Sequence, residues 1–86
     1  MVKIQAGENC VSVPRERAIV DTKGIFVRNL QLPVGTPVVV QVCKGQDVVT
    51  LFGVVCANYS SHLGFAIQFK EKTDRAARKL EALLAA

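Results

Sequence analysis

Between residues 36 and 57 the chain sets two apolar, β-branched runs on either side of a short polar connection, a pattern that fits a hairpin at the heart of a sheet. In the first run Val38, Val40 and Val42 share one face while Val39 and Gln41 share the other, because successive strand side chains point to opposite sides. Both faces are largely apolar, so this strand is expected to be central and covered on each side. Lys44-Gly45-Gln46-Asp47 has the length of a tight hairpin connection. The second run, residues 48–57, is the longest β-like stretch. Gly53 interrupts it and is expected to mark a bulge or a sharp bend at a barrel corner.

The flanks extend the β reading. Ile19-Val20 leads through Asp21-Thr22-Lys23-Gly24 into a run from Ile25 to Asn29, where Ile25 and Val27 lie on one face and Phe26 and Arg28 on the other. Leu30 and Leu32 are placed to prolong that strand before Pro33-Val34-Gly35 turns the chain. Asn58-Tyr59-Ser60-Ser61-His62-Leu63-Gly64 reads as a loop, and Phe65, Ile67 and Phe69 then alternate with Ala66 and Gln68 as a half-buried strand. Val2-Lys3-Ile4 and Val11-Ser12-Val13 also alternate, so residues 1–14 read as an arm or short hairpin that Pro14 ends.

After Phe69 the period changes. Ala76, Leu80, Leu83 and Leu84 fall at i, i+4, i+7 and i+8, with Thr73 as a candidate N-cap and Asp74 where the helix dipole favours an acid. The spacing predicts an amphipathic helix over residues 72–85, too short to stand alone in water. Its apolar stripe is expected to dock on an open end of the barrel, with a partner's surface as the alternative. The whole, residues 1–86, is expected to be a single all-β domain with one helix: a six-stranded antiparallel barrel over residues 15–70 and a C-terminal α-helix.

The same residues narrow the chemistry. No apolar run is long enough for a membrane-spanning helix, and the first residues lack the apolar stretch of a signal peptide, so a cytoplasmic protein without membrane insertion is expected. Cys10, Cys43 and Cys56 form no close pair, and His62 is the lone histidine; a metal site is not expected. Glu8, Glu16, Asp21, Asp47, Glu71, Asp74 and Glu81 show no spacing that pairs two carboxylates, and no nucleophile elbow, phosphate-cradling loop or zinc-protease motif occurs. The expectation is therefore a binding protein, not an enzyme, with no catalytic residue and no cofactor. A net charge of +4 leans toward anionic partners. Arg15 and Arg17 flank Glu16 just before a strand, and the planar guanidinium suits bidentate contact with phosphate. Asp21 and Gly24 sit at a strand entry, where backbone amides can be aimed at an anion; an edge-strand charge pair and an ordinary tight turn use the same residues.

The order of these features resembles the PilZ domain family of bacterial cyclic di-GMP receptors and adaptors. The likeness rests on Gly24-Ile25-Phe26-Val27, on Leu32-Pro33-Val34-Gly35-Thr36, on Gly53-Val54-Val55, and on Leu63-Gly64-Phe65-Ala66-Ile67-Gln68-Phe69 ahead of a terminal helix. It covers roughly residues 15–85 and implies a six-stranded barrel with a helix. It also implies a signalling role in which Arg15, Arg17, Asp21 and Gly24 would bind cyclic di-GMP. The chain departs from the family's ligand motifs: the arginines are spaced R-x-R instead of R-x-x-x-R, and Asp21-Thr22-Lys23-Gly24 lacks the family serine. Family members without these motifs are adaptors for protein partners, including in motility and type IV pilus systems, and that is the second expectation. A small RNA-binding barrel is a third; one tyrosine and no tryptophan offer little for base stacking, so nucleic acid is not the expected partner.

Overall fold

The computed structural model describes residues 1–59, 63–70 and 74–85. Its elements follow the alternation of the sequence: β1 (Val2–Ala6), β2 (Asn9–Val13), a 3-10 turn (Arg15–Arg17), β3 (Ala18–Val20), β4 (Gly24–Val27), β5 (Pro37–Lys44), β6 (Asp47–Asn58), β7 (Phe65–Lys70) and α1 (Asp74–Ala85). The strands form one antiparallel sheet in the order β2-β1-β5-β6-β7-β4-β3. The expected class, an all-β barrel-like sheet with a single C-terminal helix, is what the chain adopts. The described strands number seven instead of six: residues 15–70 hold five of them, and the first thirteen residues add two as the β1–β2 hairpin, which joins the sheet by pairing β1 with β5.

One face of this sheet makes the core. Val2 and Ile4 on β1, Val38, Val40 and Val42 on β5, and Val49, Leu51 and Val55 on β6 are buried. So are Phe65, Ile67 and Phe69 on β7, Ile25 and Val27 on β4, and Ala18 on β3. Register ties them into staggered inner rows: Ile4, Val40 and Leu51 lie in line, then Val55, Ile67 and Ile25. Such stagger tilts the strands and curls the sheet onto its own inner face, as in a barrel. The open end is covered by α1, whose Leu80 and Leu83 are buried in the same core. The helix therefore docks on its own sheet, as the i, i+4, i+7 spacing predicts. Thr73, the expected N-cap, lies outside the described residues.

Three local expectations are corrected. The run beginning at Ile25 ends at Val27, because Asn29 takes a left-handed conformation (φ 59°) that breaks the strand; asparagine tolerates that region better than most residues. Leu30 and Leu32 then lie half-buried against the core instead of prolonging β4, and Asn58 Nδ2 donates to the Leu32 carbonyl at 2.7 Å to hold the segment there. The bulge in β6 falls between Val55 and Ala57, not at Gly53. Gly53 instead occupies an inner position between Val38 and Phe69, where a Cβ would stand 2.6 Å from Ile67 Cγ2 and 2.8 Å from the Gln68 carbonyl oxygen. Finally, β5 is central but not covered on both sides: Val39 and Gln41 on its outer side are only half-buried.

Leu80 is 0% exposed and anchors the helix, so Leu80→Ala should cost about 2–5 kcal/mol of stability. Urea unfolding followed by circular dichroism measures this. Arg78→Ala, on the exposed helix face, should change stability by less than about 0.5 kcal/mol.

Candidate partner-binding face

The four residues singled out from the sequence divide between two sides of β3. Arg15 lies in the 3-10 turn and opens onto a cavity of about 280 Å³ at the mouth of the curled sheet. Lys44, Val20, Val42 and Leu83 line the same cavity. Asp21 and Gly24 line a shallower depression of about 490 Å³ on the outer face of β3, β4 and β7. Arg17 belongs to neither. The structure brings Asp21 and Gly24 together and sets both apart from Arg15.

Arg17, Asp21 and Gly24 each have a role in holding the fold. The Arg17 guanidinium donates to the Arg28 carbonyl (3.3 and 3.1 Å) and to the Asn29 carbonyl (2.9 Å), while the Arg28 amide donates to the Arg17 carbonyl at 2.8 Å. The side chain thus satisfies backbone oxygens left over where β4 ends and the chain turns at Asn29. Asp21 Oδ1 accepts from the backbone N–H groups of Lys23 (2.7 Å) and Gly24 (2.9 Å), an Asx turn that feeds the chain into β4. Gly24 pairs with Gln68, and a Cβ there would run into the Ile67 carbonyl oxygen, so β4 and β7 approach each other only because the position is glycine.

The outer face of the sheet carries what the sequence reading missed. Ile19 is 60% exposed and Phe52 61%, although both sit within strands. Cross-strand pairing aligns Ile19 with Phe26 and Phe26 with Ala66, and the bulged Cys56 lies against the same depression. Tyr59, 50% exposed, sets its ring 5.7 Å from that of Phe26 at an interplanar angle of 57°, an edge-tilted aromatic pair. Farther along, Phe52 pairs with Val39, and with Val54 and Pro37 it lines a second depression of about 370 Å³. Gln68, paired with both Gly24 and Val54, joins the two areas.

The charges on this face are one-sided. Lys3 and Lys70 point outward from β1 and β7, and Arg28 follows the outward series of Gly24 and Phe26. Asp21, at the rim, has its Oδ1 turned onto the two backbone amides. The signal for this face was present in the outward apolar residues Phe26, Val39 and Phe52. Their apolar character suits a strand covered on both sides, and the described residues supply no second layer there.

Among the described residues no cluster of histidine, cysteine, aspartate or glutamate side chains is arranged to hold a metal, and no helix is long and apolar enough to cross a membrane. Comparison with family models, with curated proteins and with solved structures finds no match. Fold and face together define a small barrel-like β domain with one helix and an open, apolar, positively rimmed sheet surface.

Arg17→Ala should destabilise the domain by about 1–3 kcal/mol, since it strips charged hydrogen bonds from two carbonyls. Arg15→Ala should change stability by less than about 0.5 kcal/mol, because the side chain is exposed. Thermal unfolding of the two variants side by side checks the contrast.

Proposed function

We propose that the chain is a PilZ-like adaptor of the cytoplasm, a domain that docks a protein partner on the outer face of its sheet without needing a nucleotide. One observation carries the reading: Ile19 of β3, Phe52 of β6 and Tyr59 stay exposed, with Phe26 of β4 half-buried beside Tyr59, on a face whose outward strand charges are basic. Exposed apolar patches with polar rims mark interaction sites, and the aromatic residues here are the type that anchors interfaces. The complementary partner is an apolar segment carrying carboxylates that meet Lys3, Arg28 and Lys70.

The internal engagement of Arg17 and Asp21 also favours the adaptor over the cyclic di-GMP receptor. Clamping a nucleotide with Arg17 would first require its hydrogen bonds to the Arg28 and Asn29 carbonyls to break. Using Asp21 as a base-reading acid would open the turn into β4. Both steps subtract from binding energy.

Calorimetric titration with cyclic di-GMP to high micromolar concentration should give no binding heat. A partner captured from extracts of the native host should be lost, or weakened at least about tenfold, by the double substitution Ile19→Asp and Phe52→Asp. It should survive Arg15→Ala. Saturable nucleotide binding that Arg15→Ala weakens, or capture unaffected by the outer-face pair, overturns the reading.

A further inference from the structure

We infer that β2 is a self-pairing edge, through which two copies of the chain join by antiparallel strand addition about a twofold axis passing beside Val11. This edge is a different part of the surface from the outer apolar face. The sheet ends in two edge strands, β2 and β3. β3 is three residues long and is bordered by Arg17 and Asp21, both engaged locally. β2 is five residues long, reads Asn-Cys-Val-Ser-Val, and is exposed at every position but the last. It has no lysine, internal proline or bulge, the devices that usually keep an edge from pairing.

The hairpin fixes which backbone groups face outward. β1 and β2 are joined by the two residues Gly7 and Glu8, with Ala6 opposite Asn9. In such a hairpin the closing pair exchanges hydrogen bonds and every second pair does so after it: Ile4 with Val11, then Val2 with Val13. Gln5 and Lys3 turn to the other side, where they pair with Val39 and Gln41 on β5, and the same phase puts the Cys43 amide on the Met1 carbonyl at 2.9 Å. By that alternation the N–H and C=O groups of Cys10 and Ser12 point away from β1, over the free edge.

A second copy matches this edge in one register. Antiparallel pairing about Val11 sets Cys10 of each copy opposite Ser12 of the other, so that both residues exchange their outward backbone groups. Val11, 39% exposed, then meets its own counterpart in the closely spaced type of pair, where side chains approach most nearly. The flanks agree in charge. The same register lays Glu8 of one copy beside Pro14 and Arg15 of the other, twice over by symmetry, and Pro14, which has no N–H to offer, falls at the end of the ladder. An isologous contact of this kind is closed, which limits assembly to a dimer. A five-residue edge buries less than the ~1,200 Å² of a stable interface, so the dimer is weak and concentration-dependent.

Sedimentation velocity from about 10 µM to about 1 mM should show a monomer passing to a dimer. Ser12→Pro removes an outward N–H without touching the β1–β2 ladder and should raise the dissociation constant about tenfold or more. Glu8→Arg and Arg15→Glu should each weaken the dimer, and the double swap should restore it; both sites are exposed, so these variants remain informative even if Ser12→Pro perturbs the hairpin. A monomer throughout the range, a dimer indifferent to Ser12→Pro in a folded variant, or a double swap no stronger than the single changes overturns the inference.

Discussion

The burial of one face of the antiparallel sheet governs the rest of the molecule. Inner residues from all seven described strands, with Leu80 and Leu83 of the helix, enclose a single apolar core. Because strand side chains alternate, a one-residue slip of any ladder would carry its apolar set out to water and bring the other face in. That penalty locks the register of β5 with β6 and of β6 with β7. With the register locked, the stagger of the rows curls the sheet and leaves one open end, and α1 has a place to dock. The helix and the sheet are stable only together: the helix is short, and the sheet without it would leave the core's end exposed.

The outer face follows from the same constraint by default. Once the inner row is committed, whatever alternates with it must point outward, and in this chain that includes Ile19, Phe26, Val39 and Phe52. The described residues form no second layer over them. The apolar face and the uncharged edge of β2 are thus two distinct surfaces of one sheet. One offers side chains and the other backbone hydrogen bonds.

The candidate ligand residues illustrate how type and spacing can point to chemistry that geometry redistributes. An arginine before a strand reads equally as an anion clamp or as a clip on carbonyl oxygens, and Arg17 acts as the clip because Asn29 ends β4 nearby and leaves oxygens to satisfy. Asp21 likewise caps its own turn. Arg15, only two residues from Arg17, lines a cavity that Arg17 does not, because the 3-10 turn rotates the two side chains apart. Sequence distance says little about direction where the backbone leaves a regular strand.

Local periodicity and turn chemistry sufficed to read the alternating strands from Ile19 onward, the hairpin at Gly45, and the amphipathic helix with Leu80 and Leu83 on its buried side. These are legible because their causes lie within a few residues: the two-residue and 3.6-residue periods and the conformational limits of glycine and proline. Tertiary structure alone decided that β1 pairs with β5 and brings the N-terminal hairpin into the sheet, that the bulge falls at Cys56, and that Gly53 is needed for close approach to Ile67 and Gln68. It also decided which of two apolar faces is buried. All of these depend on contacts between residues far apart in the chain, and the side of a strand that meets the core is set by what the curled sheet encloses, not by the strand's own sequence.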